Sequence, residues 1–198
     1  EILDGGLAPN AAVMSWRGMK GGIAAAKMGH EVVMSPTTYA YIDYMQGDGI
    51  IEPPVYASLR LSKTYEFEPV PDGVDAKYIK GGQANLWTEQ VYNMRHAEYM
   101  TWPRAFSIAE TVWSQKEKKN WNRFVSKVEE HFKRFDYAQT KYAPSMYEPD
   151  FKFTKNDKNR ITVEMKTEVQ GISVHYTFDN SFPDNFYPAY SKPVEIPT

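Results

Sequence analysis

The sequence predicts an α/β fold over residues 1–145, followed by a smaller β-rich unit over residues 146–198. In the first region, short apolar runs alternate with longer helical patterns, which is typical of parallel strands with helices packed outside them. In the second region, apolar and polar residues alternate with a period of two, as in half-buried strands. The α/β region fits either an open doubly wound sheet or the last portion of a (β/α)8 TIM barrel, because a whole barrel needs about 250 residues.

Three strands and four helices are predicted in the α/β region. The strands are 12–16, 31–35 and a run within 78–87, and the helices are 21–28, 54–61, 104–113 and 116–138. Gly18, Gly21 and Gly22 indicate a tight turn between a strand and a helix, and Gly29 stands where helices commonly end. In the last helix, apolar residues recur at helical spacing, which predicts an amphipathic surface helix.

The β-rich unit is predicted from two runs with alternating polarity. Ile161, Val163 and Met165 belong to the first run, and the second contains Ile172, Val174, Tyr176 and Phe178. The residues Asp179-Asn180-Ser181 then form a turn. Two or three strands are too few for independent stability. We therefore expect this unit to be the truncated beginning of a β-sandwich.

Composition argues against several classes of function. Asp and Glu total 25 and Lys and Arg total 23, so the net charge of −2 gives no electrostatic case for nucleic-acid binding. The sequence has no apolar run of ~18 residues, so no membrane span is predicted. Cysteine is absent and the 4 histidines lack ligand spacing, so we predict neither a metal site nor a cofactor. Aromatic residues reach 15%, which suits both sugar-stacking faces and a filled core.

Aromatic and acidic side chains recur at the ends of the three predicted strands. The first strand ends at Trp16, the second is followed by Tyr41 and Asp43, and the third ends at Trp87 and Glu89. Because the carboxyl ends of parallel strands carry the active site in such folds, we expect these side chains around one pocket. Indoles stack on the apolar face of a pyranose, and carboxylates accept hydrogen bonds from hydroxyl groups. The pattern predicts a sugar pocket, against the alternative of core indoles and solvated acids.

A series of motifs, in order along the chain, carries a resemblance to a known family. They are Met14-Ser15-Trp16-Arg17-Gly18, Val33-Met34-Ser35-Pro36, Tyr41-Ile42-Asp43-Tyr44, the stretch GGQANLWTE over 81–89, and Trp102-Pro103-Arg104-Ala105 with Ala109-Glu110 and Trp113-Ser114. Over roughly residues 1–140 they closely resemble the C-terminal half of the catalytic barrel of glycoside hydrolase family 20, the β-N-acetylhexosaminidases. The tail around Tyr176–Ser181 resembles the small β-rich domain that follows the barrel in bacterial members.

The resemblance implies substrate-assisted retention, in which the acetamido oxygen of the substrate attacks its own anomeric carbon. In this family one acid protonates the leaving oxygen and a neighbouring Asp orients the acetamido group, both from an Asp-Glu pair after the fourth strand. The 198 residues contain no Asp-Glu dipeptide, and the resemblance places the pair upstream of Glu1. We expect the isolated chain to be inactive and its parent to remove terminal non-reducing N-acetyl-β-hexosamine residues.

The resemblance also implies a role for each pocket residue. Tyr41 resembles the catalytic hydroxyl that donates to the acetamido oxygen. The substrate-binding residues are Trp16 as a wall of the acetamido pocket, Trp87 as the floor under the pyranose, Asp43 and Glu89 as acceptors for O6 and O4, and Tyr44 as a lining residue. The implied partner is a glycan or oligosaccharide that contains N-acetylhexosamine, and the implied location is the periplasm or exterior of a bacterium.

Three alternatives remain open at this point. The chain could be a non-catalytic carbohydrate-binding or structural module with a degenerate barrel, which the missing Asp-Glu pair favours. It could belong to a glycosidase that uses Asp43 and Glu89 as its two carboxylates. It could also be an α/β fragment whose aromatic residues only fill a core. Because a partial barrel leaves strand edges unpaired, we also expect self-association, pairing with the missing half of the barrel, or poor solubility.

Overall fold

The computed structural model describes residues 3–50, 52–157 and 159–197. The chain forms two compact units, Glu1–Ala143 and Pro144–Thr198. Their division lies close to the boundary expected after residue 145. Within the described residues, no helix is both long and apolar enough to cross a membrane.

A three-stranded parallel sheet lies at the centre of the first unit. Its strands are β1 (Ala12–Ser15), β2 (Glu31–Met34) and β3 (Ile79–Gly82), in the order β1-β2-β3. Val13 pairs with Val32 and Val32 pairs with Ile79, so β2 is the central strand. Its Val32 and Met34 side chains are fully buried, as expected for a strand covered on its faces. The predicted α/β class is confirmed, together with all three strands.

The helices of the first unit lie between and after these strands. They are α1 (Lys20–Lys27), α2 (Thr37–Ala40), α3 (Leu61–Tyr65), α4 (Met94–Thr101), α5 (Arg104–Trp113) and α6 (Trp121–Ala138). The amphipathic helix expected from residue 116 begins instead at Trp121. Lys116–Lys118 form a separate 3-10 turn, and the Asn120 side chain caps α6 by accepting a hydrogen bond from the Arg123 amide at 2.9 Å.

The junction between β1 and α1 is as tight as its glycines predict. The Ser15 hydroxyl donates to the Gly18 carbonyl oxygen at 2.8 Å and accepts from the Gly22 amide at 2.9 Å. A Cβ atom at Gly22 would lie 2.7 Å from the Met34 side chain and 2.9 Å from that of Ser15. Glycine therefore lets α1 pack directly on the ends of β1 and β2.

Helix α1 ends at a glycine, as the sequence predicts. Gly29 adopts a φ of 89°, its amide donates to Ala26 at 3.0 Å, and the His30 amide donates to Ala25 at 3.0 Å. This pair of bonds is a Schellman motif, which satisfies the last carbonyl groups of the helix. The chain is thereby turned directly into β2.

The prediction of a helix over residues 54–61 is wrong. Residues 53–60 run without helical structure, and Met45 and Ser58 form a parallel β-bridge. The Met45 amide donates to Ala57 at 3.0 Å, and the Leu59 amide donates to Met45 at 2.8 Å. Pro54 lacks an amide hydrogen, and tertiary pairing outweighs the local pattern here. The helix α3 follows only at Leu61.

In the second unit, the antiparallel strands β4 (Asp150–Lys155), β5 (Ile161–Lys166) and β6 (Val194–Glu195) form a sheet in the order β4-β5-β6. The predicted strand around Val163 and Met165 is confirmed, and both side chains are buried. The strand expected over 172–178 is wrong, because that segment forms only an isolated bridge between His175 and Ala189. Strand β4 was not predicted, although Phe151 and Phe153 alternate with polar residues, and all six of its residues are exposed.

Candidate active site

The first unit contains a cavity of about 690 Å³ at the carboxyl ends of its three strands. Its lining residues are Met14, Trp16, Tyr41, Asp43, Pro54, Val55, Tyr56, Asn85, Trp87, Glu89 and Gln90. Five of the six residues predicted from the sequence are on this wall, and Tyr44 is not. A volume of this size lies within the usual range of small-molecule sites, roughly 300–1,000 Å³.

Backbone pairing with Asn85 holds Tyr41 in place. Tyr41 follows α2 and forms a parallel bridge with Asn85. The Ile42 amide donates to the Asn85 carbonyl oxygen at 2.8 Å, and the Asn85 amide donates to Ala40 at 2.8 Å. The Tyr41 side chain is largely buried, and its ring centroid lies 6.4 Å from that of Trp87. Both of its chain neighbours are therefore bonded to the strand segment that leads to Trp87.

The two predicted indoles are exposed on the cavity wall. Trp16 is 44% exposed and Trp87 is 52% exposed, although both are large apolar groups. The Arg17 guanidinium lies 4.7 Å from the centre of the Trp16 ring, a cation–π contact. Large exposed aromatic faces beside a cavity are suited to stacking on a ligand.

Asp43 is the buried acid of the cavity, with 7% of its surface exposed. Burial raises the pKa of this carboxyl, while the nearby Arg104 guanidinium and backbone N–H groups lower it and Glu89 raises it. Its Oδ1 atom has no hydrogen-bond partner among the described residues. The Asp43 residue nevertheless lines the cavity, where a carboxylate can accept a hydrogen bond from a ligand hydroxyl. Glu89, by contrast, is exposed and lies on the part of the wall that follows β3 in the chain.

Tyr44 lies beside the wall and packs against two rings. Its ring centroid lies 5.7 Å from that of Tyr41 and 5.3 Å from that of Tyr56. Burial raises the pKa of the Tyr44 phenol, and a hydrogen bond with Tyr56 adds to the effect. The structure thus gives Tyr44 a packing position between Tyr41 and Tyr56, where the sequence predicted a lining role.

Several residues of the wall were not predicted from the sequence. Pro54, Val55 and Tyr56 were assigned to a helix, so nothing indicated that they face the cavity. Asn85 lies within the GGQANLWTE stretch but was given no role. Its Nδ2 atom donates to the Ser35 hydroxyl at 2.5 Å. The two residues are 50 positions apart in the chain, so no local sequence pattern reveals this contact.

The described residues contain no group of three or more His, Asp and Glu side chains that could hold a metal ion. The groups available for chemistry at the cavity are two phenols, two carboxylates, two side-chain amides and two indoles. Such a set can stack on a ring and exchange hydrogen bonds with hydroxyl and amide groups.

A family model described as the catalytic domain of glycosyl hydrolase family 20 matches residues 1–116, which is more than half of the chain. The chain belongs to this family. The β-hexosaminidase of Porphyromonas gingivalis is 37% identical over 99% of this chain and 26% of its own length. The β-hexosaminidase of Akkermansia muciniphila is 28% identical over 75% of this chain and 31% of its own. The chain therefore spans about a quarter to a third of the length of these two relatives.

Solved structures of the same family resemble this chain in fold. The family 20 exo-β-N-acetylglucosaminidase of Vibrio harveyi, in complex with N-acetylglucosamine, is 29% identical with a TM-score of 0.65, covering 70% of this chain and 23% of that one. The β-N-acetylhexosaminidase of Streptomyces coelicolor has a TM-score of 0.61 at 22% identity, covering 68% and 29%. These similarities confirm an α/β fold related to the TIM barrel, and the resemblance read from the motifs is confirmed.

Proposed function

We propose that this chain forms part of the active site of a β-N-acetylhexosaminidase, which removes terminal non-reducing N-acetyl-β-hexosamine residues from a glycan. The observation that carries this proposal is the arrangement of Trp16, Tyr41 and Trp87 around one cavity in a member of glycosyl hydrolase family 20. Two carboxylates, from Asp43 and Glu89, lie on the same wall. The exposed indoles and the acceptor oxygens match the two faces of a pyranose, one apolar and one rich in hydroxyl groups.

In the proposed reaction, the acetamido oxygen of the substrate is the nucleophile and retention follows from its participation. The Tyr41 hydroxyl donates a hydrogen bond to this oxygen, which aligns it with the anomeric carbon and stabilises the charge that develops as the ring closes. Trp16 forms a wall of the acetamido pocket and Trp87 supports the pyranose. The backbone bonds that hold Tyr41 support this role, since a fixed donor needs no reorganisation during the reaction.

Asp43 and Glu89 accept hydrogen bonds from the sugar hydroxyls O6 and O4, respectively. The position of Asp43 on the cavity wall supports this assignment for the first contact. A carboxylate that accepts from a neutral hydroxyl forms a charge-assisted bond, which is stronger than a neutral one. Both contacts exist before and during the reaction, so they contribute to binding more than to the chemical step.

The general acid of the proposed reaction lies outside these 198 residues. The sequence contains no Asp-Glu dipeptide, and the chain spans 26% of the P. gingivalis relative. We assign the first unit to the C-terminal portion of a (β/α)8 barrel and the second unit to the start of a β-sandwich domain. A periplasmic or secreted bacterial location belongs to the same proposal.

Hydrolysis of an aryl N-acetyl-β-glucosaminide tests the proposed function, with this chain and the full-length protein that carries it measured side by side. We expect turnover by the full-length protein and none by the chain alone. A full-length protein that binds N-acetylglucosamine but hydrolyses no N-acetyl-β-hexosaminide would favour the alternative of a carbohydrate-binding module, which the missing Asp-Glu pair supports.

Self-association of the isolated chain is a further part of the proposal. Among the described residues, β1 pairs with β2 on one side, and its other edge carries backbone groups available for pairing. Sedimentation of the isolated chain should therefore show association or precipitation. A monodisperse and stable monomer would contradict this expectation of self-association.

A further inference from the structure

Arg104 is a fully buried cation at the start of α5, with 0% of its surface exposed. Its guanidinium donates four hydrogen bonds to backbone carbonyl oxygens. The acceptors are Ile42 at 2.6 Å, Tyr44 at 2.8 Å, Met100 at 2.8 Å and Leu59 at 3.0 Å. One side chain thus joins α5 to three other parts of the first unit.

The first two acceptors lie on either side of Asp43 in the chain. A hydrogen bond to the carbonyl group before this residue and another to the carbonyl group after it leave the intervening backbone little freedom to rotate. The bond to Leu59 fixes the end of the segment that bridges Met45 to Ser58. The flat fork of donors makes this pattern specific to arginine, because an ammonium group presents one point charge with three donors.

We propose that Arg104 is a positioning residue for Asp43, which holds the segment on both sides of this residue so that its carboxylate stays at the wall of the cavity. This inference rests on the proposed function, since it assumes that Asp43 binds substrate. Arg104 does not line the cavity and acts through the backbone of its neighbours. In the sequence, Arg104 stands within the Trp102–Ala105 motif, which by itself indicates no role for this residue.

The charges around Asp43 agree with this assignment. Three groups interact electrostatically with Asp43: Arg104 from α5, Glu89 from the segment after β3, and Tyr44 from the next position in the chain. Burial raises the pKa of Asp43, the positive charge of Arg104 opposes that rise, and Glu89 reinforces it. Removal of the cation should therefore raise the pKa of Asp43 further, and the carboxylate should be lost at a higher pH.

The test uses the full-length protein with the substitutions Arg104→Lys and Arg104→Met, each in the wild-type and the Asp43→Ala backgrounds. Lys119→Met is the matched control. Lys119 is a partly buried cation that donates to the carbonyl oxygens of Tyr65 and Phe67 and to the Thr111 hydroxyl, and none of these residues lines the cavity. It reports the effect of losing a backbone-anchoring cation elsewhere in the same unit.

Arg104→Lys should raise KM roughly tenfold with a smaller change in kcat, because it disturbs a hydroxyl contact made in ground and transition states alike. In the Asp43→Ala background, the same substitution should change KM less than about twofold, because the group that it positions is gone. Arg104→Met should also move the acid limb of kcat/KM to higher pH. Lys119→Met should lower the Tm and leave both KM and the acid limb unchanged.

Two failures are distinguishable in this experiment. A wild-type protein that hydrolyses no aryl N-acetyl-β-hexosaminide would overturn the proposed function itself. An active wild type whose Arg104→Lys variant behaves like Lys119→Met, or shows the same KM increase with and without Asp43, would overturn the positioning role alone. Should Arg104→Met not fold, Arg104→Lys and its cycle with Asp43→Ala still decide the question.

Discussion

Two segments contribute residues to the same cavity but are held in different ways. They are the fixed segment, Tyr41–Tyr44, and the exposed segment, Trp87–Gln90. Residues 41–43 are buried, with backbone bonds to Asn85 on one side and to the Arg104 guanidinium on the other. Residues 87–90 are exposed and end in a turn, in which the Val91 amide donates to Thr88 at 3.1 Å. Under the proposed function, the donor Tyr41 lies on the fixed backbone, whereas Trp87 and Glu89 lie on the exposed segment, where stacking on a sugar is less directional and tolerates more motion.

The largest effect should follow from a change on the fixed segment. Tyr41→Phe in the full-length protein removes one hydroxyl and keeps the ring, and we expect kcat to fall by roughly 10²–10³, like the loss of one oxyanion donor. Steady-state kinetics with an aryl N-acetyl-β-glucosaminide measure the change. Tyr137→Phe, on the exposed face of α6, is the control and should be neutral. Near-normal turnover of the Tyr41 variant would remove this hydroxyl from the mechanism.

A change on the exposed segment should affect binding instead. Trp87→Ala removes the apolar face under the pyranose, and the lost burial should raise KM by roughly ten- to a hundredfold. Trp113→Ala is a matched control, because Trp113 is 88% exposed and does not line the cavity. Inhibition constants for N-acetylglucosamine with both variants provide the measurement. Equal affinities would show that Trp87 does not stack on the sugar.

The sequence predicts the residues that line the cavity better than it predicts the interactions that hold the segment Tyr41–Tyr44 in place. Strand ends carry their aromatic and acidic residues as a local pattern, so this pattern alone is enough to place Trp16, Tyr41 and Trp87 near one another. The bonds from Arg104 reach backbone carbonyl groups up to 62 positions away. Because every residue has a backbone carbonyl group, the sequence does not indicate which residues accept the hydrogen bonds of Arg104.

The segment 45–59 also shows that contacts between distant residues are not predictable from a local sequence pattern. The local pattern of residues 54–61 predicts a helix, whereas residues 53–60 are not helical, Ser58 forms a bridge with Met45, and Tyr56 lies at the cavity. In the second unit, β4 was not predicted, although Phe151 and Phe153 alternate with polar residues. All six of its residues are exposed, and the strand is defined by its pairing with β5. Periodic burial is therefore predictable from sequence, whereas pairing between distant segments is not.

A third prediction concerns the stability of the segment 45–59. The Glu52 carboxylate accepts from the Gln46 amide at 2.8 Å, the Gly47 amide at 2.8 Å and the Tyr99 hydroxyl at 2.7 Å. Glu52→Gln replaces one acceptor oxygen with a donor, which should lower the free energy of unfolding by about 1–3 kcal/mol. Glu66→Gln, at an exposed carboxylate paired with Lys63, is the control and should cost less than about 1 kcal/mol. Equal denaturation midpoints for the two variants would show that the three hydrogen bonds to Glu52 add no stability.

The smallest effect should come from the exposed carboxylate opposite Asp43. Glu89→Gln keeps one acceptor oxygen and removes the charge, so we expect KM to rise by roughly three- to tenfold with kcat nearly unchanged. Glu117→Gln, on the 3-10 turn Lys116–Lys118, controls for the loss of one surface charge. If KM and kcat/KM of the Glu89 variant both stay at the wild-type values, Glu89 makes no contact with the substrate. If kcat instead falls as steeply as in Tyr41→Phe, the exposed segment takes part in the chemical step, and the division of roles between the two segments is wrong.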